Sequence, residues 1–342
     1  MRAIGNGEDN EVQPRLRVAV VGAGTMGRVH VEAVAASRRG ELVGVVDPDP
    51  AGQRLAAERG VAAFHSVDDL PSAGIDALII AVPTDGHAAL TEKAFARGWH
   101  VLLEKPMART LEQAQAMMKA SAAAGTRLMV GQVVRYFPEY VRARDTVLAG
   151  GIGQVAVART FRGGPYPRGR DDWYGDPARS GGLFVDLLIH DFDFLVSTFG
   201  LPEEITARVR AVDGMPRHAA ALVRFPGGLA AELIGSWLHP RFHTRFELAG
   251  SGGLLEHNSL DRATLVVEAA GLTTAAVAVP SSPHHRSPYQ DEVDDFIDGV
   301  LDARPFRVEA EDALVALGCA LWAHRAAETR VPLTRREWEG SS

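Results

Sequence analysis

The stretch "RVAVVGAGTMGRVH", Arg17 to His30, decides the fold. An apolar run ends in Gly22-x-Gly24-x-x-Gly27, and helical periodicity follows through Val29, Val31 and Val34. A strand that turns on glycine into a helix opens a βαβ unit. The first glycine permits the tight turn, the second lets backbone approach a pyrophosphate, and the third lets helix and strand pack closely. An anion there meets free N–H groups and the positive end of the helix dipole. Asp47 ends the next apolar run, about 20 residues beyond Gly27. A carboxylate at that point accepts hydrogen bonds from ribose hydroxyls and repels a 2′-phosphate. The pattern predicts a dinucleotide site on Gly22, Gly24, Thr25, Met26, Gly27 and Asp47. NAD is expected in preference to NADP, since no Arg follows Asp47 to neutralise a phosphate.

Outward from this turn the alternation continues. Leu16–Val21, Leu42–Val46, Ala77–Val82, His100–Leu103 and Arg127–Val130 read as strands. Ala51–Arg59, His87–Arg97 and Leu111–Ala123 read as helices between them. Strands this apolar, separated by helices, predict a parallel sheet covered on both faces. After Pro138 the texture changes. A helix at Glu139–Leu148, a strand at Gly153–Thr160 and a long polar loop at Arg162–Ser180 come first. A buried helix follows, then β-like runs at Ile205–Val212, Ala220–Phe225, Leu229–Ser236, Phe242–Leu248 and Thr264–Val267. Gly and Pro punctuate them, which predicts a mostly antiparallel sheet. A Pro/Ser loop at Val279–Pro288 leads to helices at Glu292–Leu301 and Glu309–Glu328. The expected fold is an α/β Rossmann domain, doubly wound, over residues 15–135, then an α+β substrate domain over 136–335. A disordered leader at 1–14 and a tail at 336–342 flank them.

Bulk properties bound the function. The chain has 342 residues, is 46% hydrophobic and 23% charged, and carries a formal net charge of -7 with no long basic run. No nucleic-acid partner is expected on that basis. The single Cys319 excludes an intrachain disulfide framework and fits a reducing compartment. In its Ala/Leu-rich helix it reads as packing. The first residues lack the apolar stretch of a signal peptide. No apolar run of about 18 residues exists, so no membrane partner is expected. A cytoplasmic location follows as the expectation.

Two further strand exits carry candidates, because ligands in such sheets bind beyond the carboxyl ends of the strands. In "AVPTDGHAAL", Thr84 faces a bound nucleotide or caps the next helix, and His87, in that helix's first turn, takes an edge position near the cofactor or a solvated helix position. In "VLLEKPMA", Glu104-Lys105-Pro106 places a lysine beside a proline that fixes the chain and can adopt a cis bond.

The helix "SGGLFVDLLIHDFDFL", Ser180 to Leu195, is apolar on nearly every face. At about 100° per residue, Asp186, His190 and Asp193 fall in one stripe roughly 60° wide. Such a stripe faces a cavity or satisfying partners. Three readings stand: Asp and His satisfying each other in a core, an Asp/His/Asp metal site helped by His239 and His243, or an acid/base site. The metal reading lacks a recognisable full ligand set, so no metal is expected. In the acid/base reading His190 exchanges a hydroxyl proton and a nearby carboxylate orients it, with Asp186 expected to hold the imidazole.

Together VAVVGAGTMG, AVPTDGH, EKP, GQVVRYFPEY, SGGLFVDLLIHDFD and the ending Tyr289…Glu292…Phe296 resemble the Gfo/Idh/MocA oxidoreductases, over about residues 17–333. The motifs are most similar to the inositol dehydrogenase branch. The resemblance implies an open sheet in the second domain and a homodimer or homotetramer. It implies that Lys105 is the catalytic lysine, with Asp186 and His190 its partners, and that Glu104 lies at the cofactor. It implies that Asp193 and Tyr289 contact substrate. The implied activity is NAD-dependent hydride transfer from a secondary alcohol of a cyclic polyol or sugar. Alternatives within the resemblance are an NAD-using glycoside hydrolase, a reductase of a nucleotide-linked or otherwise modified sugar, and a non-catalytic sugar- or nucleotide-binding protein. The chain departs from the inositol pattern at Arg241–Arg245 and in the long basic loop at 162–180, where substrate selectivity resides.

Overall fold

The computed structural model describes residues 14–260 and 286–340. The leader (apart from residue 14), the strand expected at Thr264–Val267, most of the loop before Pro288 and the last two residues lie outside them.

The first sheet holds β1 (Leu16–Val21), β2 (Gly40–Val46), β3 (Ala62–Phe64), β4 (Ala77–Ile80), β5 (His100–Glu104) and β6 (Leu128–Gly131). Its order is β3-β2-β1-β4-β5-β6, and every pairing is parallel. Helices α1 (Thr25–Ala36), α2 (Pro50–Arg59), α3 (His87–Ala96) and α4 (Leu111–Ala124) connect the strands. Val18, Ala19 and Val20 are fully buried, as consecutive residues must be when both faces are covered. The side chains of Asp49 and Thr110 cap α2 and α4, and left-handed Gly60 and Gly125 end them. The strand order reverses between β1 and β4, so a crevice opens beyond their carboxyl ends.

The second unit begins with α5 (Pro138–Leu148) and β7 (Val155–Pro165). Three helices follow: α6 (Pro177–Ser180), α7 (Gly182–Asp186) and α8 (Ile189–Phe199). Then come β8 (Glu204–Val212), β9 (Met215–Arg224), β10 (Ala230–Ser236), β11 (Leu238–Gly250) and β12 (Gly253–Asn258). The chain closes with α9 (Pro288–Leu301), α10 (Ala310–Thr329), β13 (Leu333–Thr334) and α11 (Arg335–Glu339). The sheet order is β12-β11-β7-β10-β9-β8-β13. Among the described residues only β7 and β10 pair in parallel, so the sheet is mixed and mostly antiparallel.

Three features differ from the sequence reading. The single helix expected across Ser180–Leu195 is two helices, because a turn at Leu187–Leu188 separates α7 from α8. The expected tail is largely folded: Thr334 and Glu337 form a capping box, and Trp338 stacks on Trp322 with rings 6.4 Å apart. Helix α9, late in the chain, packs on the first unit rather than the second. Its buried Val293, Phe296 and Ile297 share one core with Val31 and Val34 of α1. Ser37 donates to Asp294 at 2.5 Å, and Arg39 reaches Asp298 at 2.8 Å and Asp302 at 2.7 Å. Cys319 lies 3% exposed in α10, and burial pushes its thiol up to about 12.

Candidate active site

A cavity of about 1000 Å³ runs from the glycine turn, beneath the loop after β7, to the inner surface of the second sheet. The glycine turn lies at one end. A Cβ on Gly22 would sit 2.3 Å from the Ala81 carbonyl oxygen, and its φ is +100°. A Cβ on Gly27 would sit 1.8 Å from the Gly22 oxygen. Gly24 is the opposite case: a Cβ there would meet nothing within 4 Å, and Gly24 faces the cavity. Two of the glycines are thus required by protein packing, and the third leaves space for a ligand. Thr25 and Met26 line the same end, while Gly27 is buried beneath it.

Asp47 lines the cavity beside this turn. One carboxylate oxygen accepts from the Ala23 N–H at 2.6 Å, the other from the Asp49 N–H at 2.8 Å. The acid therefore also fixes the shape of the turn. Thr84 lines the cavity and is 4% exposed. His87 does not line it. The ring is 1% exposed, with Nδ1 2.9 Å from the Pro106 carbonyl and Nε2 3.0 Å from the Val82 carbonyl. It ties two strand exits together instead of meeting a cofactor, and burial pushes the imidazole below its usual range.

The Lys105–Pro106 bond is cis. The Lys105 ammonium donates to the Asp186 carbonyl oxygen at 2.8 Å and to its Oδ1 at 3.2 Å. Glu104, also at the cavity, is held on both oxygens: His30 Nε2 lies 2.8 Å from Oε1, and the Lys105 N–H donates to Oε2 at 3.1 Å. Burial pushes the Glu104 carboxyl up, but the His30 hydrogen bond and the Lys105 charge bring it below its usual value. No local pattern marked His30, which follows the glycine motif by three residues and is 1% exposed.

His190 and Asp186 both line the cavity, yet no hydrogen bond joins them among the described residues. The expectation that Asp186 holds the imidazole is therefore corrected: its carboxylate is taken by Lys105. His190 Nδ1 is buried without a partner among the described residues, which leaves Nε2 to face the cavity. Burial first, then the charges of Arg162 and Lys105, hold this imidazole well below its usual range.

Asp193 leaves the stripe that helical spacing gave it. It is fully buried and grips Arg135, with Nε to Oδ2 at 2.8 Å and Nη2 to Oδ1 at 2.7 Å. It does not line the cavity: Arg135, from the segment after β6, takes both of its oxygens. Tyr289, at the start of α9, does line it, and burial and the nearby Glu104 push its phenol up.

Other lining residues escaped the sequence reading. Arg162 projects inward from β7, 3% exposed, and donates from Nε to Asp191 at 2.7 Å. One signal was available: Ala158, Thr160 and Arg162 alternate on the buried face of an amphipathic strand. Tyr140, Trp237, Phe242 and Thr244 complete that end. Three contacts fasten the loop after β7 across the cavity: Arg170 to Asp49 at 3.3 Å, Arg179 to Asp85 at 2.7 Å, and Arg109 to the Ala178 carbonyl. His239 and His243 pack on Phe161 and do not join Asp186. Among the described residues no group of three or more His, Cys, Asp or Glu is arranged to hold a metal, and no helix is long and apolar enough to cross a membrane.

Comparison with known proteins agrees with this geometry. Residues 16–132 match the model of an oxidoreductase family with an NAD-binding Rossmann fold, and residues 140–256 match that family's C-terminal domain. The rhizopine catabolism protein MocA of Rhizobium meliloti is 33% identical over 52% of this chain and 56% of its own length. The scyllo-inositol 2-dehydrogenase (NAD(+)) of Bacillus subtilis is 30% identical over 71% of this chain and 73% of its own. The crystal structure of GenD2 from gentamicin A biosynthesis, in complex with NAD, superposes with a TM-score of 0.83 at 25% identity, covering 97% of this chain and 99% of that one. A shared fold, both family models and a relative matched over most of its length lead to one conclusion: this chain belongs to the Gfo/Idh/MocA oxidoreductases.

Proposed function

We propose that the chain oxidises a secondary alcohol of a cyclic polyol or sugar with NAD, or runs the reverse reduction. The observation that carries this is the convergence of Lys105, Asp186 and His190 on the cavity that also contains the glycine turn and Asp47. The residues present fit the dinucleotide: Gly24 leaves open space where a Cβ would otherwise intrude, and α1 presents its N-terminus there. Gly22, Gly24, Thr25 and Met26 would border the pyrophosphate, Asp47 the ribose, and Thr84, Glu104 and Lys105 the nicotinamide end. Bound NAD supplies the acceptor for the hydride that the alcohol carbon loses.

The protein's part is positioning and charge. His190 accepts the hydroxyl proton at Nε2, a nitrogen that a neutral imidazole leaves open as an acceptor. Lys105 spends two hydrogen bonds on Asp186 and keeps a third N–H for the substrate oxygen, where it stabilises the developing negative charge. Asp186 is thus the group that aims Lys105. Tyr289 borders the substrate from α9. Asp193 acts behind the site, through Arg135. Self-association belongs to the same reading: the outer face of the second sheet keeps Leu222 of β9 53% exposed. Sedimentation velocity should find a dimer or tetramer, and a monomer would count against that part.

The test is purified protein with NAD and a panel of inositols, aldoses and sugar acids, followed by NADH absorbance. Turnover on one group identifies the substrate class. Tight NAD binding with silence across the panel refutes the free-polyol assignment and directs the search to nucleotide-linked sugars. Sugar release without net NADH identifies the hydrolase alternative.

A further inference from the structure

His190 lacks the carboxylate partner that usually orients a catalytic imidazole. What lies beside it is a buried ion pair. Arg162 of β7 and Asp191 of α8 have side chains 4% and 1% exposed, and they meet at 2.7 Å through Nε and Oδ2. Asp191 directly follows His190, so the pair is anchored to the same turn of helix as the imidazole. Arg162 and His190 line the cavity together. We infer that the Arg162–Asp191 pair is a positioning device for His190, fixing the turn that carries it and presenting a cation rather than a carboxylate to its ring. The inference rests on reading His190 as the base.

Three observations support it. First, the contact is one-sided: Arg162 Nη2 and Asp191 Oδ1 are both buried without a partner among the described residues. A pair kept only for stability would close both contacts, and apolar residues of equal volume would avoid the desolvation cost altogether. Second, the sheet is built to let α8 come close. Gly235 of β10 lies beside Arg162 in the ladder, and a Cβ on Gly235 would sit 2.8 Å from the Leu188 side chain, just before α8. Third, the surrounding charges act in one direction. Lys105 reaches the site from the turn after β5, Asp186 from α7, and the phenols of Tyr140 and Tyr289 from α5 and α9. Both nearby carboxylates are ion-paired, Asp186 to Lys105 and Asp191 to Arg162, and the charges that act on the ring are those of the two cations. A base with its proton already on would be useless, and this setting keeps it off.

The test follows the imidazole itself, without needing turnover. Protein with isotope-labelled histidine, saturated with NAD, is titrated by NMR, and His190→Asn assigns the resonance. Wild type and Arg162→Lys should keep His190 neutral well below the pH at which a free imidazole takes up its proton. In Arg162→Gln, and in Arg162→Met/Asp191→Asn, its protonation should move up by about one unit or more. Gly235→Ala touches neither charge but lifts α8 from the sheet, and it should move the titration the same way by less. Unchanged titration in whichever of these variants stays folded overturns the inference. Once a substrate is known, the acid limb of kcat should move with the titration while KM stays put, a split that a purely structural role would not produce. A silent substrate panel with the NMR shift present refutes the polyol reading and leaves this one standing.

Discussion

Replacing each glycine of the turn by alanine should give different results for a reason visible in the geometry. At Gly27 the added Cβ would lie 1.8 Å from the Gly22 oxygen. Both atoms are backbone-fixed, so helix α1 must move away from the turn, and the cost should exceed about 3 kcal/mol of stability. At Gly24 the same methyl meets nothing within 4 Å, and its φ of -70° suits alanine. Gly24→Ala should therefore leave stability within about 0.5 kcal/mol of wild type. Its effect should appear only with NAD present, because the methyl occupies the space where the pyrophosphate approaches. Overpacking of that size costs about 1–3 kcal/mol, which is roughly 5- to 150-fold in Kd. Urea unfolding of the free protein and titration calorimetry with NAD separate the two. Wild-type NAD affinity in Gly24→Ala would refute the placement of the cofactor over Gly24. A large stability loss in that variant would refute the claim that the space is open.

The other predictions are shorter. Lys105→Met should lower kcat by about 10²–10³, the usual effect of removing one donor to a developing oxyanion, with NAD still bound by calorimetry; full turnover would end its assigned role. Asp193→Asn should cost about 3 kcal/mol in urea unfolding, the low end for breaking a buried pair because Arg135 keeps Asp312 at 3.3 Å, and should leave KM unchanged; a raised KM with normal stability would return Asp193 to the substrate. Glu292 is fully buried with both oxygens unpartnered, and burial, then Glu104 and Asp295, push its carboxyl well above the usual range. Its folded form holds the proton longer than the unfolded chain does. The stability it contributes is full below about pH 4.3 and is lost as pH rises toward the folded value. Glu292→Gln, neutral throughout, should gain on wild type as pH rises above about 4.3 in urea unfolding, and a growing deficit would mean the buried acid is ionised.

The first sheet was legible in the chain because buried parallel strands are continuous apolar runs, and the glycine spacing is a local steric demand. Only β3 was missed, being three residues long and largely exposed. The cavity-lining roles of Lys105, Asp186 and His190 were legible for a similar reason: charged groups in greasy surroundings need somewhere polar to face. What local pattern could not supply was the partner. Helical spacing grouped Asp186, His190 and Asp193, but the turn at Leu187–Leu188 breaks the phase between Asp186 and the other two, and Arg135 arrives from a distant segment to take Asp193. His87 and Asp186 were assigned to NAD and to His190, yet they bind backbone carbonyls and Lys105. The amphipathic pattern of α9 says that it packs, and nothing in it says on which unit.

That placement of α9 has a consequence for how the protein is made. A ribosome delivers the glycine turn long before α9. Until residues 288–301 emerge, the core that α1 shares with Val293, Phe296 and Ile297 is incomplete, and Ser37 and Arg39 lack their acidic partners. The nucleotide-binding unit is thus begun before the second unit and completed only after it. A fragment cut near residue 135 would be an unfinished unit that exposes a greasy helix. A message truncated before α9 would yield a chain that quality control can recognise by that surface, long before any activity is at stake.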